Sequence, residues 1–349
     1  EENLMLFPID FKSDTVTKPS EEMRRAMYEA EVGDDVYGED PTVRRLEEKT
    51  AEITGKEEAL FVASGTMGNL TSLLTHCGRG DGVILGALSH IYNYEGGGMS
   101  ALGGLFPLLA DDSSGILSPQ EITSLCPPRN VHHSPAKLLC LENTHNKCGG
   151  VAVPVESFEN VVKQAREIHL PIHLDGARLF NAALAWGVDI KAFSSLVDSV
   201  QICLSKGLGA PIGSMICASK VFIDEARHWR KKLGGGMRQA GIIAAAGLYA
   251  LEHNIERLAD DHKHAQLIAS VLEEAGLNVE RKGRQTNMVF FSLPEQGPDA
   301  HSLIQSCAER GVYFTAMGAR RLRLVTHLDV SQEQALRGAE IIVEEVRKI

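Results

Sequence analysis

The chain has 349 residues, of which 44% are hydrophobic and 23% charged, and this ordinary globular composition excludes fibrous and disordered proteins. Its formal net charge is −11 and its longest run of Lys and Arg is "RKK" at 230–232, so the charge pattern provides no basic surface for nucleic acid. No apolar stretch approaches the roughly 18 residues of a membrane span. The Gly- and Ala-rich run at 241–251 predicts a tightly packed core helix instead.

Strand and helix patterns alternate through the first two thirds of the chain and predict an α/β fold with a largely parallel sheet. Several of the strand-like runs are apolar throughout, as expected of strands covered on both faces. The predicted strands are 58–64, 82–87, 105–110, 136–143, 171–177, 199–205 and 213–219. Capped helical patterns predict helices at 20–30, 41–55 and 155–169.

The pattern changes near residue 251. Long amphipathic helices are predicted at 251–276 and 331–349, and they flank strands at 287–293 and 321–327. This arrangement indicates a smaller C-terminal α+β domain. We therefore divide the chain into an N-terminal arm (1–18), a large domain (19–250) and a small domain (251–349).

Seven cysteines occur without a C-x-x-C pair, which favours buried free thiols in a reducing compartment over a disulfide framework. The expected location is the cytoplasm. The mitochondrion is the alternative if a targeting peptide was removed before Glu1.

A lysine follows a predicted strand in "CLSKGLGAPIG" at 203–213. At the end of a buried strand, desolvation and nearby cations can supply the neutral amine that attacks a carbonyl. The glycines beside Lys206 would let a flat cofactor approach the backbone. The alternative is a strand-end lysine that simply reaches water.

An acid ends another predicted strand, Asp175 in "PIHLDGARLFNA". The carboxyl ends of strands in an open α/β sheet line one crevice, so Asp175 and Lys206 are expected to reach the same ligand. Pyridoxal phosphate (PLP) needs a lysine for its aldehyde and an acid beside its pyridine nitrogen. A helix cap is the alternative role for Asp175.

A phosphate site is predicted where the strand of "FVASGTMGNLTSLL" gives way to a helix. Free N–H groups and the positive end of the helix dipole would face an anion there, with Gly65 and Thr66 as candidates. A capped helix without an anion fits equally well. The chain has neither a P-loop nor a proper G-x-G-x-x-G fingerprint, which disfavours a nucleotide site and a nicotinamide-dependent oxidoreductase.

Nine sequence blocks, spread in order from about residue 9 to the C-terminus, closely resemble the L-threonine aldolases of low-specificity type. These are fold-type I PLP enzymes, with a large domain around a mostly parallel sheet and a smaller C-terminal α+β domain. The blocks are "SDTVT" (13–17), "VGDDVYGEDPT" (32–42), "SGTMGN" (64–69), "SHIYNYE" (89–95), "ENTHN" (142–146), "HLDGARLFNA" (173–182), "LSKGLGAPIGS" (204–214), "LGGGMRQAG" (233–241) and "RLVTH" (323–327).

The resemblance implies how the cofactor is held. Lys206 would form a covalent aldimine with PLP, Asp175 would pair with the pyridine nitrogen, and Gly65 and Thr66 would hold the phosphate. His90 matches the residue that stacks over the pyridine face. Without that context, His90 would be interpreted as an ordinary core or surface histidine.

The resemblance also implies a substrate site. Arg178 matches a residue near the cofactor oxygen and the substrate carboxylate, and Ser13 and Arg323 match the other carboxylate contacts. Arg178 as a first-turn helix residue and Arg323 as a solvent-facing residue of an edge strand are the alternatives. His132 matches a position that contacts the substrate hydroxyl, although the adjacent His133 leaves this assignment ambiguous by one residue.

Two basic residues, Lys231 and Arg238, match positions that approach the active site from a neighbouring subunit. The resemblance therefore implies at least a dimer, and the family expectation is a homotetramer, a dimer of dimers. The alternatives are a solvated helix end for Lys231 and a flexible hinge for the glycines at 234–236.

Several histidines fall near predicted strand ends, but no H-x-x-x-H or Cys/His pair has metal-ligand spacing on one predicted element, so no metal site is predicted. They are His90, His132, His133, His145 and His173.

The implied activity is retro-aldol cleavage of L-threonine, L-allo-threonine and other β-hydroxy-α-amino acids to glycine and acetaldehyde or the matching aldehyde. The general base stays open between His90, His132 and a water held by either. Alternatives are serine hydroxymethyl transfer, β-elimination, racemisation and a PLP-binding scaffold without catalysis. The partner is then a small amino acid, with no nucleic acid and no membrane.

Overall fold

The computed structural model describes residues 8–128, 130–281 and 283–348. The strands are β1 (Ile9–Asp10), β2 (Glu58–Val62), β3 (Gly82–Gly86), β4 (Phe106–Ala110), β5 (Ala136–Glu142), β6 (Ile172–Asp175), β7 (Ser199–Cys203), β8 (Ser214–Ala218), β9 (Asn278–Val279), β10 (Met288–Ser292), β11 (Val312–Tyr313), β12 (Thr315–Ala316) and β13 (Arg321–Val325).

The α-helices are α1 (Glu21–Tyr28), α2 (Pro41–Thr54), α3 (Gly65–His76), α4 (His90–Asn93), α5 (Gly98–Ala101), α6 (Pro119–Ser124), α7 (Val155–Glu167), α8 (Leu179–Trp186), α9 (Lys191–Ser194), α10 (Lys220–Lys232), α11 (Gly241–His253), α12 (Leu258–Glu274), α13 (Ala300–Glu309) and α14 (Gln332–Lys348). Short 3-10 helices cover Asp14–Val16 and Asp35–Tyr37. Among these described helices, none combines the length and apolar character that a membrane span requires.

A seven-stranded sheet forms the centre of the large domain, in the order β2-β8-β7-β6-β5-β3-β4. Strands β7, β6, β5, β3 and β4 pair in parallel, and β8 is antiparallel to both of its neighbours, β2 and β7. The predicted α/β fold is confirmed. Apolar runs mark the strands because both faces are covered: in β2, Leu60 packs towards α10, whereas Phe61 joins the core on the opposite face.

The small domain contains a second sheet, an antiparallel β12-β13-β10-β9, packed with α12, α13 and α14 around its own core. The N-terminal segment contributes to this core, because β1 pairs with β11 and Phe11 is fully buried in it. The chain then enters the 3-10 helix at Asp14–Val16. The domain limits at residues 18 and 250 stay a prediction, and α11 runs across the second of them.

The single long helix expected at 251–276 is wrong. Helix α11 ends at His253 and α12 begins at Leu258, with the chain turning between them. At this break the Asn254 side-chain amide donates to the Leu208 carbonyl at 2.8 Å. Because Leu208 lies two residues after Lys206, the break ties the start of α12 to the lysine loop.

The Phe11 ring fixes the N-terminal segment to the small domain, where it packs so closely on Gly338 that a Cβ there would lie 2.4 Å from the ring. Phe11→Ala would leave a cavity, and we expect the free energy of unfolding to fall by about 3–5 kcal/mol in urea denaturation. Val221→Ala removes an apolar side chain that is 81% exposed and serves as the control. Equal stability of the two variants would contradict this packing argument.

Candidate active site

The candidate site lies at the carboxyl ends of the parallel strands of the large sheet, facing the small domain. Glu142, Asp175 and Gln201 lie side by side there, in register across β5, β6 and β7. A cavity of about 350 Å³ opens beside them, lined by Ser13, Thr15, His90, Tyr94, Asn146, Arg178, Lys206, Thr315, Met317 and Arg323. A larger groove of about 710 Å³ between α1, α2 and α11 contains none of the predicted site residues.

Lys206 projects into this cavity from the loop after β7. The loop is held by its own backbone: Gly209, at φ +81°, donates its N–H to the Lys206 carbonyl at 2.8 Å, and Ala210 donates to Leu204 at 3.1 Å. The positive φ is the reason for a glycine at 209. Among the described residues, the half-buried Lys206 ammonium has no hydrogen-bond or ion-pair partner, which leaves it available to a ligand.

Asp175 ends β6 and is almost fully buried. Its Oδ2 accepts from the Asn69 side-chain amide at 2.9 Å, and its Oδ1 accepts from the Ala177 N–H at 3.1 Å. Both donors are neutral groups. Among the described residues, no Lys or Arg forms an ion pair with this carboxylate, which suits an acid that binds a protonated ring nitrogen.

His90 begins α4, where its backbone N–H donates to Glu142 Oε2 at 2.7 Å. Its ring Nδ1 lies 3.0 Å from Glu95 Oε1. Burial alone would lower the pKa of His90, but the hydrogen bond to Glu95 and the negative charge of Asp175 raise it above the ordinary value of 6.5. With Nδ1 bonded to Glu95, the Nε2 atom of His90 is the one left for a ligand.

The phosphate candidates occupy the first turn of α3. Ser64 caps this helix, since its Oγ accepts from the Met67 N–H at 3.1 Å. Gly65 and Thr66 are the first two residues of the helix, so no carbonyl of the helix lies in position to accept from their N–H groups. Glycine at 65 also has a packing reason: a Cβ there would lie 2.8 Å from Cys203 Sγ on β7. The first turn can therefore present N–H groups to an anion.

Arg178 forms a buried bidentate ion pair with Asp14. The Nε atom of Arg178 donates to Oδ2 and its Nη2 atom donates to Oδ1, both at 2.7 Å. Burial raises the pKa of the Asp14 carboxyl, but the Arg178 guanidinium overcomes this and holds it well below its usual range. Ser13, the preceding residue, accepts the Thr15 N–H with its Oγ at 3.2 Å.

Arg323 lies opposite, on β13, and its guanidinium is held by neutral groups. Its Nη1 atom donates to Asn146 Oδ1 at 3.0 Å, and its Nη2 atom donates to the Lys12 carbonyl at 3.1 Å. Its Nε is buried and has no hydrogen-bond partner among the described residues. Burial, followed by the nearby Arg178 charge, lowers the pKa of Arg323.

Six of the predicted site residues are not part of the cavity wall of one chain: Asp175 at the end of β6, Gly65 and Thr66 at the start of α3, and three residues in loops or at a helix end. His132 is exposed in the loop after α6, as is its neighbour His133. Lys231 lies in the last turn of α10, and Arg238 donates to Asp34 Oδ2 at 3.1 Å. The roles given to these residues stay predictions.

His90, Glu95 and Asp175 offer ligand atoms that lie within 4.8 Å of one another, a cluster that the sequence motifs did not indicate. Its carboxylates are already bonded to the Asn69 amide. The other buried histidines of the metal hypothesis have protein partners: His145 binds Asp112, and His173 binds Asn69 and Ser199.

Five residues of the site were missed by the sequence reasoning, although every one of them lies inside a block that was quoted. They are Asp14, Asn69, Glu95, Glu142 and Asn146. The available signal was that each is polar and lies close to a named residue within its block.

The comparisons with known proteins identify the family. A model of the family described as "Beta-eliminating lyase" matches residues 10–294. "Probable low-specificity L-threonine aldolase 2" of Arabidopsis thaliana is 47% identical over 93% of this chain and 93% of its own length. "Low specificity L-threonine aldolase" of Escherichia coli (strain K12) is 46% identical over 93% of this chain and 96% of its own.

Solved structures agree on the fold alone, because their identity is low. Leishmania major threonine aldolase superposes with a TM-score of 0.83 at 22% identity, over 97% of this chain and 100% of that one. Sphingomonas wittichii serine palmitoyltransferase gives 0.78 at 18% identity, over 98% and 88%. The chain therefore belongs to the low-specificity L-threonine aldolase family, PLP-dependent carbon–carbon lyases of fold type I, as its sequence blocks predict.

Proposed function

We propose that this protein cleaves L-threonine and L-allo-threonine, and related β-hydroxy-α-amino acids, to glycine and an aldehyde. The observation that carries the proposal is Lys206, a lysine without a protein partner among the described residues, in one cavity with Arg178 and Arg323. An amine-binding group and guanidinium groups suit an α-amino acid. The high identity to aldolases over nearly the whole chain supports the aldol reaction over other PLP chemistry.

The residues present fit PLP. Lys206 Nζ would bond covalently to the aldehyde carbon, Asp175 would accept from the ring nitrogen, and the first turn of α3 at Gly65 and Thr66 would hold the phosphate. His90 would lie over the ring. Bound PLP supplies an electron sink for the pair released at the substrate Cα.

The two arginines have different roles in this proposal. Asp14 neutralises the charge of Arg178, so Arg178 acts mainly by orienting the substrate rather than by binding its charge. Arg323 has no carboxylate partner among the described ion pairs, and its buried Nε has no acceptor in the described chain. We therefore assign the substrate carboxylate chiefly to Arg323, with Ser13 beside it at the cavity wall.

His90 is the general base in this proposal. Glu95 holds its ring through Nδ1, so Nε2 can accept the β-hydroxyl proton as the Cα–Cβ bond breaks and the aldehyde carbonyl forms. His132 lies outside the cavity of its own chain. It would take part only if another subunit brought it to the site.

We propose a homodimer as the minimal active unit, with two dimers forming a tetramer. Lys231 and Arg238 lie outside their own cavity, whereas Thr66, at the proposed phosphate site, is exposed. A neighbouring subunit that places these two cations against the first turn of α3 would complete the phosphate site.

Lys206→Ala tests the function directly. The variant should lose both the visible absorbance of lysine-bound PLP and aldehyde release from L-threonine, because no other amine replaces Nζ. Release from L-threonine, L-allo-threonine and their D forms is measured for the wild type, the variant and Lys220→Ala, an exposed lysine paired with Glu58. Wild-type release of ammonia and a 2-oxo acid in place of glycine would contradict the aldolase proposal.

The pH profile tests the base. His90 accepts a proton only when neutral, so kcat/KM should fall as the pH drops through its raised pKa, above the ordinary 6.5. Glu95→Gln removes the carboxylate that raises this pKa and should move the acidic limb to lower pH. His90→Asn should abolish the limb and cost about 100-fold or more in kcat/KM. An unchanged limb in His90→Asn would exclude His90 as the base.

Asp14→Asn tests the ion pair. Because the folded-state pKa of Asp14 lies below its ordinary 3.8, the pair stabilises the protein above that pH, and this contribution disappears as the pH falls. At neutral pH the variant leaves Arg178 buried without an opposite charge, so the free energy of unfolding should fall by about 3–5 kcal/mol, with a smaller difference in acid.

Urea denaturation at several pH values measures this effect, and Glu29→Gln, which breaks the exposed pair with Arg25, is the control and should behave as wild type. If Asp14→Asn also behaves as wild type at neutral pH, the ion pair does not stabilise the fold.

A further inference from the structure

One buried amide contacts both carboxylates beneath the site. Asn69, on the second turn of α3, donates through Nδ2 to Glu95 Oε1 at 2.7 Å and to Asp175 Oδ2 at 2.9 Å. The Asn69 side chain is almost fully buried, as are both acids. Its Oδ1 lies 3.0 Å from His173 Nε2. No motif assigned a role to this asparagine.

The two carboxylates determine the orientation of the Asn69 amide. Only the NH2 end can face two anionic oxygens, because the reverse orientation would place three acceptors together. The amide oxygen must then accept from His173, so Nε2 of that ring carries a hydrogen. Burial, with the nearby His76, lowers the pKa of His173 to about 3, which keeps the ring neutral.

The remaining hydrogen bonds follow from this tautomer. In neutral His173, Nδ1 is the acceptor, so the Ser199 hydroxyl 2.8 Å away must donate to it. Ser199 Oγ then accepts from His76 Nε2, also at 2.8 Å. Burial lowers the pKa of His76 to about 4, so this ring is neutral as well. Every donor in this series of hydrogen bonds, from His76 through Ser199 and His173 to Asn69, therefore points towards the two acids.

We propose that Asn69 is a positioning residue, which fixes the orientation of the Asp175 carboxylate towards the ring nitrogen of PLP. This inference rests on the proposed PLP site. Hydrogen bonds aligned in one direction polarise each other, so the series of hydrogen bonds that begins at His76 makes the NH2 group of Asn69 more positive towards the two acids. An amide does not pass protons on, so the chain acts by electrostatics and orientation alone.

Two buried acids this close are difficult to ionise together. Burial, with the charge of Asp175, raises the pKa of Glu95, and the hydrogen bonds from His90 and Asn69 oppose that shift. The titratable groups that face the pair are His90 on α4, His173 on β6 and Cys140 on β5, and the charge of Lys206 acts on His90. Without the Asn69 amide, Asp175 would lose one of its two hydrogen-bond donors, and its carboxylate would no longer be held in one orientation towards a protonated ring.

The test uses three variants and the affinity for PLP. Asn69→Ala should bind PLP about 10- to 100-fold more weakly, the effect of losing a hydrogen bond to a charged group. Asn69→Asp should bind equally weakly at neutral pH and regain part of the affinity relative to wild type in acid, where a protonated carboxyl can donate one of the two hydrogen bonds that the amide makes. Ser199→Ala removes a group two hydrogen bonds away from Asn69, and it should lower the PLP affinity a few-fold.

The matched control is Asn181→Ala. Asn181 is also a buried asparagine beside a buried histidine, 3.1 Å from His262 Nε2, but it contacts neither acid. It should lose stability and keep wild-type PLP affinity. Apoenzyme titrated with PLP gives the dissociation constants, and urea denaturation confirms that each variant is folded.

A folded Asn69→Ala protein with wild-type PLP affinity would overturn the inference, as would an equal loss in Asn181→Ala or an Asn69→Asp protein that does not recover in acid. Failure of the wild type itself to bind PLP would refute the proposed function instead, so the two failures are distinguishable.

Discussion

The ion pair between Asp14 and Arg178 joins the parts of the molecule that enclose the cavity. Asp14 follows a segment whose Phe11 packs in the small-domain core, and Arg178 precedes α8 of the large domain. Asp14 also accepts from the Asn287 amide, just before β10, at 3.2 Å. Two charge-assisted hydrogen bonds offset the burial of both charges. The position of the N-terminal segment over the site depends on this contact.

The parallel sheet explains why the site lies where it does. Neighbouring parallel strands end at one edge, so Glu142 and Asp175 lie side by side and the lysine loop begins next to them. Glu142 then connects two loops, because its carboxylate oxygens accept the N–H groups of His90 and Asn146 at 2.7 and 2.9 Å. Asn146 in turn holds Arg323. One carboxylate thus orients the proposed base and the proposed carboxylate-binding arginine together.

The sequence predicted every strand of the large sheet, because those strands are apolar runs bounded by turn residues. It also predicted Lys206 and Asp175, whose chemistry is visible at strand ends. The contacts between Asn69 and Glu95 were not predictable, since they join α3 to the segment after α4. The break before α12 was hidden for the same reason: its amphipathic pattern continues, and only the tertiary contact of Asn254 with the lysine loop marks it.

The charges that the described chain leaves without an opposite partner match the groups of the proposed ligands. Asp175 has only neutral donors, and Lys206 and Arg323 have no acid in an ion pair with them. In the proposed function these three residues would bind a ring nitrogen, an aldehyde and a carboxylate. The charge of Arg178, by contrast, is neutralised by Asp14, so Arg178 can chiefly orient a ligand. A ligand with a single carboxylate satisfies Arg323, whereas a second acidic group would find no comparable cation in the cavity of this chain. The charge balance thus favours neutral side chains at the substrate β-carbon.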